Sequence, residues 1–351
     1  MTAAPTLREV AKAAGVHQAT VSRALRHQPG VSRKMGDAIR ALATKMGYVP
    51  DPMLSALAAY RTTRRPAAFH SVIAWLNPST IRADWKRYRT FREFFDSAAS
   101  RARALGFQLE EVVLPAAGAG AARVTSMLRA RNVSGVIVGP APVLGVGLET
   151  IDWRLFSGVR IGLSLERPQL HSVAPHHSQG MFTIMREVAA RGYRRPGLVI
   201  STHLDERVQW RWSAAFLRAQ LWLPAARNRI PPLFFVGEQV QAAGLVSWAR
   251  KYRPDVLLAV GNEVSLPLLR RQCGWRVPED IGLTVLTQPD EDRPVTGILE
   301  NNTETGTRAV DFVADMMTRQ ERGIPEYPQV LRITNRWIEN GTLRPRPKQP
   351  E

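Results

Sequence analysis

Cysteine is almost absent from this chain: Cys273 is the only one in 351 residues. A single thiol cannot build an intramolecular disulfide framework or a cysteine-based zinc cluster, and such usage suits a reducing compartment. Apolar runs long enough to cross a bilayer are lacking as well, and Met1 to Val10 contains no secretory apolar core. Together these absences imply a soluble, cytoplasmic protein with no membrane role. Catalytic signatures are missing too. There is no G-x-S-x-G, no Walker loop, no G-x-G-x-x-G after a strand and no zinc-binding helix motif. Gly118-Ala119-Gly120 lies among small residues without the Lys or Ser/Thr that a phosphate loop needs. The neighbouring His176 and His177, with His171, lack an acid or thiol to complete a metal set. The chain therefore reads as a non-enzyme with neither cofactor nor metal.

Acidic residues are the minority, 30 against 48 Lys and Arg, for a net charge of +18. That balance points to a polyanion, nucleic acid or an anionic membrane surface, unless it is only a generally basic surface. Distribution separates these readings: residues 1–65 hold 11 Lys/Arg and 3 Asp/Glu. Hydrophobic residues make up 44% of the chain, enough for a sizeable core, and the length suits two or three domains.

The basic first segment reads as three short helices. Thr6-Leu7-Arg8-Glu9 is a capping-box pattern, followed by an apolar stripe of Leu7, Val10, Ala11 and Ala14 and a stop at Gly15. A second helix runs from Gln18 to about Arg26, burying Val21 and Leu25, and Pro29-Gly30 breaks it. Ser32 caps a third that buries Ile39, Leu42 and Met46 and stops at Gly47. Two such helices around a Gly-containing turn, braced by a third, match a helix-turn-helix; a three-helix protein-interaction module has the same outline. In a DNA-reading unit the second helix enters the major groove. Here it offers Gln18, Ala19, Thr20, Ser22 and Arg23. Gln pairs with adenine, Arg with guanine, and Ala19 can meet a thymine methyl.

After an extended Tyr48–Pro52 connector, Asp51 and Pro52 can start a short helix to Tyr60, and a basic linker follows to Pro66. From Ser71 onward, apolar strand candidates alternate with amphipathic helices. The strands are 72–76, 108–113, 135–139, 159–163, 197–201, 233–236, 256–260 and 281–286. Phe91, Phe95, Ala98, Ala102 and Leu105 share one helical face; Met181, Ile184, Met185 and Val188 share another. Alternation of this kind means α/β units with parallel sheets buried on both faces. Two sheets in two lobes suit the unit count better than one barrel.

Leu7-Arg8-Glu9-Val10-Ala11-Lys12-Ala13-Ala14-Gly15-Val16, Ala19-Thr20-Val21-Ser22-Arg23-Ala24-Leu25, Val31-Ser32-Arg33-Lys34 and Met46-Gly47-Tyr48-Val49-Pro50 resemble, at fixed spacings, the head of the lactose/galactose-repressor (LacI/GalR) family. The resemblance implies an all-α helix-turn-helix head (residues 1–48), a hinge helix and linker (49–66), a two-lobed periplasmic-binding-protein-like α/β body for effector binding and dimerisation (67–345), and a tail (346–351). It implies a regulator, of the repressor kind, that binds a palindromic operator in double-stranded DNA as a homodimer under small-molecule control, with a saccharide as the family default. The alternative is a transport-type small-molecule binding protein without a DNA role.

The implied DNA contacts are Thr6, His17, Gln18, Ala19, Thr20, Ser22, Arg23, Ser32, Arg33, Lys34, Tyr48 and Leu57. Of these, Thr6, Thr20, Ser22 and Ser32 match positions that either cap helices or touch phosphates. Leu57 matches a leucine that wedges into the minor groove, or else packs against the body. Three positions depart from the family pattern: His17 stands where serine is usual, Arg26 where asparagine is, and Met35 where threonine is.

In the body, Gly192-Tyr193-Arg194-Arg195 and Val277-Pro278-Glu279-Asp280-Ile281 are fainter landmarks. Arg207 aligns with an effector-gripping arginine, or is a surface arginine on a helix. Asn262, His176 and Gln288 complete the implied effector set. The acidic partners usual in the family are absent: His176-His177 replaces an Asp-Asn pair and Thr287-Gln288 an Asp-Asp pair. Trp75, Trp85, Trp210 and Trp212 can stack on a sugar ring or serve as core. By the same resemblance, 300–323 returns to the first lobe and 329–338 to the second.

Overall fold

The computed structural model describes residues 5–25, 30–48, 71–77, 88–113, 121–140, 148–149, 151–261, 263–287 and 295–347. The hinge expectation with Leu57, together with Trp85, Asn262 and Gln288, lies outside the described residues. The chain divides into two compact units, Met1–Ala68 and Phe69–Glu351.

In the first unit, α1 (Leu7–Ala14), α2 (Gln18–Leu25) and α3 (Arg33–Lys45) follow one another closely. The capping box forms as its sequence implies: the Thr6 hydroxyl accepts from the Glu9 amide at 3.3 Å, and the Glu9 carboxylate accepts from the Thr6 amide at 2.6 Å. Gly15 ends α1 at φ 63°, a left-handed turn that glycine adopts without strain. Val10, Ala11, Val21, Ala24, Ile39 and Ala43 form the small core, while Leu25, Leu42 and Met46 are only half-buried at its margin. Arg40 of α3 donates to the Ala24 carbonyl at 2.7 Å, tying down the end of α2.

The second unit holds two sheets. The first contains β1 (Ser71–Asn77), β2 (Phe107–Val113), β3 (Val133–Val138), β4 (Ser157–Ile161), β5 (His171–Pro175) and β11 (Val330–Ile333), in the order β11-β5-β4-β3-β1-β2, all parallel. Helices α4 (Arg89–Ala104) and α5 (Ala121–Ala130) belong to this lobe. The second sheet contains β6 (Pro196–Ser201), β7 (Leu233–Phe235), β8 (Val256–Ala259), β9 (Gly282–Val285), β10 (Gly297–Leu299) and β12 (Arg336–Ile338), in the order β12-β10-β9-β8-β6-β7. Its helices are α6 (His177–Ala190), α7 (Thr202–Arg207), α8 (Arg211–Ala219) and α9 (Ala242–Tyr252). Each sheet carries apolar clusters, as a parallel sheet covered on both faces requires.

Helix α10 (Asn302–Arg319) returns to the first lobe and packs along α4. Their approach is backbone to backbone at Gly306, where a Cβ would run into the Phe94 carbonyl and the Ser97 hydroxyl. Three sequence expectations need correction. Residues 329–338 do not pass to the second lobe as one piece: β11 completes the first sheet and β12 the second. The second sheet is not wholly parallel, because β12 runs antiparallel to β10. Leu105 is exposed beyond the end of α4, since Phe94 takes up the buried face together with Phe91, Ala98 and Ala102.

The chain therefore crosses between lobes three times, at 175–177, 299–302 and 333–336, and the crossings are laced together. The Asn301 side-chain amide donates to the Thr334 carbonyl at 2.7 Å, and that of Asn335 to the His176 carbonyl at 3.2 Å. The His176 amide donates to the Ile333 carbonyl at 2.9 Å.

Candidate DNA-reading helix and inter-lobe site

The exposed face of the first unit is built on α2. Val21 and Ala24 turn into the core, which leaves Gln18, Ala19 and Arg23 exposed and Thr20 and Ser22 half-buried. Four-residue spacing puts Gln18 beside Ser22 and Ala19 beside Arg23. His17 satisfies an amide at the start of α2: its Nδ1 accepts from the Ala19 amide at 3.3 Å. Thr6 and Ser32 are likewise committed to caps, Ser32 accepting from the Met35 amide at 3.4 Å. Arg33 and Lys34 open α3, are exposed and, like Arg23, have no acid partner among the described residues. The Tyr48 side chain packs against the head core and its amide bonds to the Ala43 carbonyl at 2.9 Å. The result is a helix whose exposed face carries amide, methyl and guanidinium groups, flanked by unpaired cations.

In the body, the strand ends bring a second group together. α7 follows the C-terminal end of β6, and α4 is the first described helix after the C-terminal end of β1, the edges where α/β folds hold ligands. Arg207, the last residue of α7, lays its guanidinium over the Phe91 ring of α4, with Cζ 5.6 Å from the ring centroid. Its Nε is buried and has no hydrogen-bond partner. Burial pulls the Arg207 pKa below its usual value, opposed by Tyr88. The following residues, Gln209 and Trp210, both sit at positive φ, 56° and 54°, a cost borne where the surroundings fix the backbone. Here the Trp210 amide bonds the Asp205 carbonyl at 2.8 Å, and Gln209 reaches the Leu163 carbonyl of the first lobe at 3.4 Å.

Buried acids stand around this loop. Glu263 accepts from the amides of Ser201 and Val260 at 2.8 and 3.3 Å, yet burial outweighs those bonds and pushes its pKa up to about 8. Asp205 accepts from the Ser213 amide at 3.2 Å and is also raised by burial. At the crossings, His177 Nε2 lies 3.6 Å from Glu300 Oε1, with the His177 ring edge-on to Trp212. Burial lowers His177 to about 3 and raises Glu300 to about 7, so each is held toward its neutral form.

Of the effector set, Arg207 and His176 are described, the first at the end of α7 and the second at the start of α6. His176 is the N-cap of α6, its Nδ1 accepting from the Gln179 amide at 3.3 Å. His177 is the first residue of that helix. Trp75 and Trp212 are core, while Trp210 is 58% exposed. Sequence reasoning missed Phe91 as the floor beneath Arg207, having read it only as a helix-face residue. It missed Gln209 altogether, because nothing in its neighbours marks a left-handed turn. No group of His, Cys, Asp and Glu suited to a metal occurs among the described residues.

Residues 6–51 match the family described as bacterial regulatory proteins, lacI family, and residues 185–342 match a periplasmic binding protein-like domain. The HTH-type transcriptional regulator GntR of Pseudomonas aeruginosa is 45% identical over 58 residues, 16% of this chain and 17% of that regulator, so this match spans well under two thirds of it. The transcriptional regulator CelR in complex with cellobiose superposes over 96% of this chain and 99% of its own, at 19% identity and a TM-score of 0.58. The lac repressor dimer bound to operator and the anti-inducer ONPF does so over 97% and 99%, at 18% identity and a TM-score of 0.55. These identities speak for the fold: a helical head followed by a two-sheet body. The chain thus joins a head that matches the lacI family of bacterial regulatory proteins to a body that matches a periplasmic binding protein-like domain.

Proposed function

We propose that this regulator binds a palindromic operator as a homodimer and is controlled by a small molecule held between the lobes of its body. The observation that carries the reading is α2, which turns Gln18, Ala19 and Arg23 outward with no acid among the described residues to neutralise the arginine. In this reading those three residues meet bases, and Arg33 and Lys34 meet phosphate. Leu57 would be the minor-groove wedge. Thr6, His17 and Ser32 act chiefly by fixing helix ends, because their side chains already accept amide bonds. A dimer is supported by the edge strand β7, where Phe234 is 48% and the adjoining Val236 92% exposed, and by the dimeric lac repressor on its operator. The basic lacI-family head disfavours a transport-type binding protein. No helix among the described residues is long and apolar enough to cross a membrane.

Selection of bound sequences from random DNA tests this. Inverted half-sites are expected, because two identical heads on a symmetric body require them. An asymmetric consensus, or a monomer at binding concentrations, would overturn the dimeric reading.

A further inference from the structure

We infer that the body carries a DNA-binding surface of its own, separate from the head. It is a sequence-independent site for duplex phosphates, at the edge of the second sheet where β6 and β8 begin. It goes beyond base reading by the head and does not depend on small-molecule control.

Residues 1–65 account for only 8 of the net charge of +18, with 11 Lys and Arg against 3 acids, which leaves +10 beyond them. Much of that excess gathers in one place. The stretches 193–196, 225–230 and 248–255 contain seven Lys and Arg and a single acid, Asp255. Pro196 pairs with Val256 at the start of β6 and β8, so the first and last stretches meet side by side. Arg195 then joins all three. Its Nε donates to the Arg253 carbonyl at 2.9 Å, one terminal nitrogen to the Arg227 carbonyl at 2.7 Å, and the other to the Tyr252 carbonyl.

A guanidinium spent on three carbonyls clamps the backbones that carry the other cations. Arg194, Arg227, Arg229, Arg250, Lys251 and Arg253 are all exposed, and none has an acid partner among the described residues. Asp255 is held by the backbone, its carboxylate accepting from the Arg194 and Arg195 amides at 2.7 and 2.9 Å. Asp280, just before β9, pairs with Arg276 at 2.8 Å, and Glu279 bears on the same arginine. Of the acids outside the described residues, Asp51 precedes the body and Asp84 falls between β1 and α4 of the first lobe. Asp290, Glu291 and Asp292 fall between β9 and β10, a stretch anchored at the far end of β9, where Gly297 pairs with Val285. Glu351 shares its last four positions with Lys348.

Local structure accounts for some of these cations. Arg250 and Lys251 close the last turn of α9, where the helix dipole favours positive charge. Arg194, Arg227 and Arg229 come from other segments and have no such reason. Arg253 keeps its side chain at φ 48°, a left-handed position that suits glycine better. Five of the six exposed cations are arginine, whose planar fork takes a phosphate bidentately. None of the large exposed apolar side chains falls in the three stretches. A protein partner needs an apolar centre to its interface, whereas a duplex backbone is a continuous row of charge that cations alone can bind.

The test uses the full chain and a random-sequence duplex, titrated from about 50 to about 200 mM salt. A head variant, Arg23→Ala with Arg33→Ala and Lys34→Ala, should still bind the duplex. Adding Arg194→Gln, Arg227→Gln, Arg250→Gln and Lys251→Gln should weaken binding about tenfold or more at low salt. It should also reduce the slope of log affinity against log salt by about 3 to 4. Arg103→Gln, Arg123→Gln, Arg129→Gln and Arg322→Gln remove the same charge from the first lobe and should change affinity by no more than about twofold. Arg194→Lys, Arg227→Lys and Arg250→Lys together should keep the slope and lose affinity a few-fold.

The inference is overturned if the head variant no longer binds duplex, or if the two glutamine sets lose equally. Polyglutamate or phosphatidylserine vesicles that displace the duplex at equal charge would overturn it in favour of an acidic protein or a membrane. Should the first glutamine set melt below the wild type, the lysine set decides: an unchanged affinity there would remove arginine–phosphate pairing. Any of these failures leaves the reading of the operator by the head intact.

Discussion

Arg23 and Arg207 are both arginines without an acid partner among the described residues, and they stand in opposite surroundings. Arg23 projects from the head into water, where a charge costs almost nothing and its field reaches a polyanion from about 10 Å away, screened by salt. Arg207 is half-buried, with its Nε desolvated against the protein and its guanidinium over Phe91, where a charge costs more and acts at short range. The head therefore keeps its cations exposed, ready for a long-range and salt-sensitive partner. The body also buries a few ionisable groups, and burial holds Glu263 and Glu300 toward their neutral forms. The same residue type is solvated in one place and largely desolvated in the other, and burial makes the difference.

The sharpest way to break this contrast is to remove a buried charge and find no gain. Glu300 is raised from about 4.5 to about 7 by burial. Below pH 4.5 it is protonated in both the folded and the unfolded chain and contributes nothing. As pH rises from about 4.5 to about 7, only the folded chain still holds the proton, so stability falls, and above 7 the full penalty is present. Glu300→Gln should therefore match the wild type near pH 4 and exceed it at pH 8 by up to about 3 kcal/mol. His177 contributes the reverse slope between about 3 and 6.5, but it does so in both proteins and cancels. Urea midpoints across this range decide the matter, and parallel curves for the two proteins would mean that Glu300 is not buried as a neutral acid.

A smaller effect is expected where the charge is exposed. Arg23→Ala should cost roughly 1–3 kcal/mol on a selected operator and relax preference at one base pair, while leaving stability within about 0.5 kcal/mol. Arg33→Ala or Lys34→Ala should weaken all sequences alike and flatten the salt dependence. Binding titrations on selected and random DNA over a range of salt separate these outcomes; equal losses on both DNAs for Arg23→Ala would remove it from base reading. The smallest effect concerns no charge at all. Thr6→Ala removes the hydroxyl that accepts from Glu9 and should cost about 1 kcal/mol of helix stability, seen as faster amide exchange at the start of α1 with the body unaffected.

The same contrast explains what could be seen in the sequence. The head was legible almost to the residue, because short helices are set by local chemistry: the Thr6–Glu9 box, the left-handed Gly15, the stop at Gly47. The longer apolar strands of the body were legible from composition alone. What was hidden depends on partners far along the chain. β5, with His171, Ser172 and Pro175 in five residues, looks nothing like a strand, and it forms one because β4 and β11 flank it. β10 and β12 are three residues each, and β12 joins the sheet only through its pairing with β10. The split of 329–338 between two sheets lies in a few residues of turn at 334–335, where no periodicity can register. Arg207 could be singled out by resemblance, but that it lies on Phe91 is a matter of a residue more than 100 positions away. His17 as a cap was hidden for a different reason: a ring nitrogen can replace a hydroxyl oxygen as acceptor, which substitution patterns alone do not reveal.

Three crossings stitched at Asn301, Asn335 and His176 also determine how the body is able to move. Two slabs joined by one strap can bend, twist and shear independently. Joined by three straps that are bonded to one another, they behave like a door on three aligned pins: rotation about the common line remains, and the other movements would break side-chain to backbone bonds. A ligand wedged or clamped on the far side of that line can express itself only as an angle.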